Sequence, residues 1–262
     1  VPGYITEGDF DGSGSIKIFP VAKSTELMFF NDTDWQRFAK DTFVRYGALS
    51  TMEGVTAVAE QYYNWSGGKA LFGRDAMANY MFVGAKQLGV TLFEVENGKM
   101  KLNFDKDTVR KLWDNYYVPF VKGYFAASGR FRSDDIKTGN VISYVGSTSS
   151  ATFFPTVVSI DDDQTYNIDL KVLPCPKFKD GEDWAVQQGA GMAVAKSDEE
   201  HEYASTVFLK WFTQKEQNLK FVCESAYMPV LKDSNNIKAL DQIIKEEKID
   251  MNNKAYDCLK TV

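Results

Sequence analysis

Histidine is almost absent. His201 is the only one in 262 residues, and it stands among acids in Glu199-Glu200-His201-Glu202, the setting of a solvated surface residue at a helix start. With no second histidine and no cysteine at ligand spacing, zinc has no ligand set. The cysteines are Cys175, Cys223 and Cys258, an odd number that cannot all pair internally, so no disulfide framework is implied. At least one stays a small buried apolar thiol. No apolar run reaches the roughly 18–20 residues that a bilayer span needs. No basic stretch followed by an apolar core opens the chain at Val1. The first residue is not Met, so either a leader was removed or the chain begins inside a longer protein. A basic excess is missing too: net charge is −6 and the isoelectric point is near 5.0. That balance argues against a nucleic-acid partner, which would want a clustered basic face.

The motifs of several enzyme classes are also missing. Gly-x-Ser-x-Gly does not occur, so there is no nucleophile elbow. Neither a Gly-x-x-x-x-Gly-Lys-Ser/Thr phosphate cradle nor a Gly-x-Gly-x-x-Gly turn is present. Paired carboxylates of a glycosidase would be distant in sequence and are not marked here. Asp9-x-Asp11-x-Ser13-Gly14 matches the start of a calcium loop, but Pro20 stands where the bidentate Glu belongs. A plain turn is the expectation. No catalytic residue, metal or cofactor is expected.

What is present is an ordinary globular composition, 44% hydrophobic and 25% charged, with aromatics raised to 14%. Large rings fill cores first, and stacking on a ligand comes second. Ile16–Pro20 and Glu26–Phe30 read as strands separated by a polar step. Helices are expected over Asp34–Tyr46, Thr51–Tyr63 and Asp75–Leu88, the last stopped by Gly89. TLFEVENGKMKLNF is a hairpin about Asn97-Gly98. Asp105–Val121 reads as one long amphipathic helix with Val109, Leu112, Trp113, Tyr116 and Phe120 on a stripe. A short helix Arg132–Thr138, a buried strand Val141–Val145, a turn at Asp161–Asp163 and a strand Ile168–Leu173 follow. Ser149–Val158 reads either way. Ser197 with Glu200, and Thr213 with Glu216, are capping-box patterns opening two consecutive helices, about 198–212 and 214–223. Helices alternating with short buried strands give an α/β class.

Polar residues gather where strands end. Ser24 and Thr25 lie between two strand runs. Arg74 and Asp75 lie at a loop-to-helix junction, with Asn79 one turn beyond. Ser147, Thr148 and Ser149 follow a buried strand, and open α/β sheets bind ligands beyond their strands' carboxyl ends. Trp184, Gln187 and Gln188 precede a glycine-flanked strand at Gly191–Ala195. Hydroxyls and amides suit a polyol ligand, since each donates and accepts. Capping or turn formation is the alternative role at every one of these positions, and core packing is the alternative for Trp184.

The tract YASTVFLKWFTQKEQNLKFVCESAYMPVLKDS, Tyr203 onward, resembles the signature of extracellular solute-binding proteins of ABC importers, the maltose-binding-like, carbohydrate-uptake class. The strand Gly189–Ala195, the acidic start Ser197–Glu200, the helices Ala204–Thr213 and Gln214–Cys223, and Ala226–Val230 follow in the family's order. Ile16–Asn31 and Leu170–Pro176 resemble its crossover strands. The resemblance implies a type II periplasmic-binding-protein-like fold, two lobes joined by crossover hinge strands. One lobe would be 26–170 with 231–262, and the other, incomplete, 1–25 with 171–230, because the first part of the family pattern is missing. It implies a non-enzymatic monomer that captures a small-molecule solute, a mono- or oligosaccharide, and delivers it to an ABC permease. The ligand could instead be a peptide or polyamine, and a glycoside-active enzyme is a further alternative. The implied location is the outer face of the cytoplasmic membrane, lipid-anchored, or the periplasm. Thr148 falls where some relatives place a stacking Trp, so the sugar class stays open.

Overall fold

The structure is a computed structural model, and it describes residues 2–161, 164–248 and 253–262. Two of the three acids of the expected 161–163 turn, Asp162 and Asp163, lie outside the described residues. The chain forms two units. The larger comprises Glu26–Gly146 and Phe153–Val186, and the smaller comprises Val1–Thr25, Ser147–Thr152 and Gln187–Val262.

The larger unit is built on a four-stranded sheet in the order Phe72–Arg74, Ser143–Ser147, Glu26–Asn31, Leu170–Pro174. The first two run parallel with Gly73 opposite Tyr144, and the last two antiparallel with Phe29 opposite Val172. Every residue of Glu26–Asn31 is buried. Leu27-Met28-Phe29-Phe30 is a continuous apolar run, the pattern of a strand covered on both faces. The helix Asp32–Thr42 starts because the Asn31 side chain accepts from the Asp34 N–H at 3.0 Å, and Phe43, at φ 60°, ends it. The helix Met52–Ser66 is capped by Thr51, which accepts from Gly54 N–H, and ends at Gly67. Between these helices and the sheet, Trp35, Phe38, Tyr62, Phe72, Phe125 and Phe178 make a largely aromatic core. Edge-on pairs such as Phe38–Tyr62, 5.3 Å apart, each add about 0.5–1.5 kcal/mol beyond the area they bury.

Some elements differ from the sequence reading. The first strand is Phe19–Ser24 rather than Ile16–Pro20, so only Thr25 separates it from the next. The expected helix Asp34–Tyr46 stops at Thr42, and Tyr46–Ser50 is a short 3₁₀ turn. Ser149–Val158 resolves into a 3₁₀ turn, Thr148–Phe153, and a strand beginning at Val157. The hairpin holds, Phe93–Glu96 against Lys99–Leu102, with Asn97 and Gly98 both at positive φ as its two-residue turn requires. The largest difference is in Asp105–Val121, which breaks into Lys106–Asp114 and Tyr117–Val121. Pro119 accounts for the break. In a continuous helix it would have no N–H for the Asn115 carbonyl, and its ring would clash there.

In the smaller unit Phe19–Ser24 pairs antiparallel with Gln188–Met192, the strand expected over Gly191–Ala195, and Lys23 N–H donates to the Met228 carbonyl at 3.0 Å. The two expected helices are Glu199–Phe212 and Lys215–Ser225. Neither uses its expected cap. Asp198, not Ser197, caps the first by accepting from His201 N–H, and the second starts at Gln214 with no side-chain cap. Leu219, Val222 and Cys223 pack with Leu240 and Ile243 of the helix Ile237–Glu247. That shared core places residues 231–262 in the smaller unit, where the sequence reading had assigned them to the larger. The changeover between units likewise comes at Val186–Gln187 rather than within Leu170–Pro176.

Candidate functional site

The sequence-predicted polar residues fall in both units. In the smaller one, Ser24 sits opposite Gln188 in the strand ladder, and the Thr25 carbonyl accepts from Thr148 N–H at 2.9 Å. Ser147 and Ser149 hydroxyls are 3.1 Å apart. Ser24 and Thr148 are buried, and Thr148 Oγ1 and Gln188 Oε1 have no hydrogen-bond partner among the described residues. Gln187 turns to Glu7, donating to its Oε2, and Glu7 also pairs with buried Lys23. In the acidic turn, Asp11 is held by Lys17, and Asp9 accepts from Gly14 N–H. Lone His201 is exposed and bonds the Asp198 carboxylate at 2.7 Å.

In the larger unit Arg74, at the end of its strand, forms a buried ion pair with Glu26, whose other oxygen accepts from Asn79 at 2.9 Å. Asn79 is therefore committed to holding Glu26. Asp75 accepts from the Arg132 backbone N–H at 2.9 Å and lies 3.6 Å from its guanidinium. Burial pushes the Asp75 carboxyl above its ordinary range, against the opposing pull of Arg132. Gly73 makes this pairing sterically feasible. A Cβ there would meet Arg132 Cδ at 2.8 Å and the Ala126 carbonyl at 2.7 Å, so glycine lets the arginine stem cross close over the strand.

Arg74 and Asp75 lie at the floor of a cavity of about 590 Å³, within the size range of small-molecule sites. Its walls bring in residues the sequence reading did not single out for binding: Met77, Tyr80, Trp113, Tyr117, Arg130 and Arg132. Trp113 ends one half of the broken helix and Tyr117 begins the other. Their rings lie 3.9 Å apart between centroids, and both are about half exposed. Together they form a shelf able to take the C–H face of a ligand. The sequence carried a signal for it, since a proline inside a helical pattern ends or kinks the helix ahead of it. Trp184 lies elsewhere. It lines a separate recess of about 370 Å³ with Phe82 and Phe93, its ring 4.9 Å from the Lys86 ammonium. Among the described residues, no group of acids, histidines and cysteines could hold a metal. Among the described residues, too, no helix is long and apolar enough to cross a membrane.

No curated protein matches the sequence at a significant level. Several solved structures match in fold. The chain is similar to UgpB of Mycobacterium tuberculosis, solved with glycerophosphocholine, at TM-score 0.74 and 19% identity, over 97% of this chain and 60% of that one. It is similar to maltose-bound MalE3 of T. maritima at TM-score 0.70 and 13% identity, covering 95% of this chain and 64% of that one. The cyclic alpha-maltosyl-1,6-maltose binding protein of Arthrobacter globiformis gives TM-score 0.68 and 14% identity, over 95% and 60%. The chain thus spans between 60% and 64% of the length of these proteins, and at such identities the likeness is one of fold. The fold is the mixed α/β, periplasmic-binding-like class that the tract from Tyr203 implied. A family profile described as bacterial extracellular solute-binding protein matches residues 1–249, and the chain belongs to that family.

Proposed function

We propose that this protein captures a carbohydrate, mono- or oligosaccharide, outside the cytoplasmic membrane and hands it to an ABC permease, and that the ligand occupies the aromatic cavity of the larger unit. The observation that carries the reading is the Trp113–Tyr117 shelf beside Asp75 and Arg130. Sugar rings present apolar C–H faces to aromatic surfaces and hydroxyls at their edges to fixed polar groups. Two of the similar structures are of maltose or maltosyl-maltose binders, and a third holds a glycerol phosphodiester, which supports a polyol ligand. A lipid-anchored or periplasmic location belongs to the same proposal.

A polyamine fits less well, because three guanidinium groups line the cavity against one carboxylate. Hydrolysis of a glycoside would need two carboxylates about 5–9 Å apart, and Asp75, the one in the lining, is already engaged by Arg132. The test is isothermal titration against a panel of mono- and malto-oligosaccharides with wild type and Trp113→Ala. A loss of about tenfold in affinity is expected for the variant, the size of losing one stacked face. Turnover of any of these sugars, or an affinity indifferent to Trp113, would refute the reading.

A further inference from the structure

The cavity lining carries Arg74, Arg130 and Arg132 against the single carboxylate of Asp75. Two of the three cations are already neutralised. Arg74 is paired with Glu26, and Arg132 is paired with Asp135, with Asp75 at its Nε. Arg130 is exposed, its guanidinium 5.4 Å from the Phe131 ring, and it has no ion pair among the described residues.

The backbone that carries Arg130 is held on both sides. Asp135 accepts from Ser128 and Gly129 N–H at 3.2 and 2.8 Å. Asp134 accepts from Phe131 N–H at 2.9 Å, and Asp75 from Arg132 N–H. The Gly129 carbonyl accepts from the Arg132 guanidinium at 2.6 Å. The nearby carboxylates are thus spent on fixing the loop, and one cation is left over at its tip. A guanidinium offers a rigid fork that matches a phosphate or carboxylate with two parallel hydrogen bonds. Met77, Val109, Leu112 and Trp113 line the same cavity and offer apolar surface to the rest of such a ligand.

We propose that Arg130 anchors a negatively charged group of the ligand, so that the solute is an anionic polyol, a sugar or glycerol unit bearing a phosphate or a carboxylate. This rests on the reading that the cavity is the ligand site, and it narrows the class of ligand.

The test is titration of the full 262-residue chain with matched probes: glucose, glucose 6-phosphate and glucuronate; glycerol and glycerol 3-phosphate; and inorganic phosphate alone. Wild type, Arg130→Gln, Arg130→Lys and Trp113→Ala are compared at low salt. At least one anionic probe is expected to bind about tenfold or more tighter than its neutral counterpart, the range of one charge-assisted hydrogen-bonded contact. Arg130→Gln should bring that ratio close to one. Arg130→Lys should recover part of it, and Trp113→Ala should weaken charged and neutral probes alike. Whether the phosphate or the glucuronate gains more identifies the anion. Equal binding of charged and neutral probes, or a ratio unchanged in Arg130→Gln, overturns the charge assignment while Trp113-dependent binding keeps the cavity as the site. Binding indifferent to Trp113, or no binding of any probe, overturns both.

Discussion

Removal of Glu26 is the sharpest test of how the cavity floor is held. Arg74 and Glu26 side chains are each 3% exposed, and Asn79 donates to the second carboxylate oxygen at 2.9 Å. In Glu26→Ala the guanidinium keeps one weak contact, to Cys175 Sγ at 3.9 Å, and faces the Tyr80 ring at 5.6 Å. Neither replaces a carboxylate. Breaking a buried pair by deleting one partner costs about 3–5 kcal/mol, because a charge stays buried without compensation. Removing both charges is different. Glu26→Leu with Arg74→Met leaves no charge to bury, and its cost should be within about 1 kcal/mol of wild type. Urea unfolding followed by tryptophan fluorescence suits the larger unit, which holds Trp35, Trp65, Trp113 and Trp184. A single-variant loss below about 1 kcal/mol, or a double variant as unstable as the single one, would refute the idea that desolvated charge dominates here.

Two further outcomes follow from other parts of the fold. Asp75 is held above the ordinary carboxylate range by burial, so the folded protein binds that proton more tightly than the unfolded chain does. Its contribution to stability therefore falls as pH rises through and above 3.8, its ordinary value, and Asp75→Asn removes the fall. Melting temperatures across that range should move in the variant's favour with rising pH, and a flat difference would contradict the argument. In the smaller unit the fully buried Asn218 donates to the Val21 carbonyl at 2.8 Å and accepts from Val230 N–H at 3.0 Å. Asn218→Ala removes both buried bonds and should cost about 2–4 kcal/mol in chemical denaturation; a cost under about 1 kcal/mol would show that other contacts replace them.

The sequence was most readable where structure depends on neighbours in the chain. Asn97-Gly98 specifies its hairpin by itself, and Thr51 and Gly67 mark the two ends of one helix. The pattern Ala204–Thr213 followed by Gln214–Cys223 also emerges as two consecutive helices. Readability declines where groups distant in sequence must meet. Arg74 and Asp75 stood out at a loop-to-helix junction, yet their partners Glu26 and Arg132 come from segments far away along the chain. Glu26 did leave a trace, as a lone acid opening an otherwise apolar buried strand, where an unpaired charge is hardly ever found. Helical period alone puts Trp113 on one apolar stripe with Leu112 and Tyr116, and the break ahead of Pro119 leaves it half exposed. Arg130 had no local signal at all. It stands out only because three carboxylates are engaged by the loop around it.

The interruption between Asp114 and Tyr117 has a bearing on how this cavity wall can vary. The two shelf residues flank a discontinuity that one proline enforces, and their side chains stay half outside the packed interior. Replacement of either ring would change the cavity wall and leave the buried core cluster untouched. Pro119 itself is buried, and it keeps the two helical segments from running on as one. The cavity wall can therefore be altered at two half-exposed positions, while a third, buried one keeps the break between them.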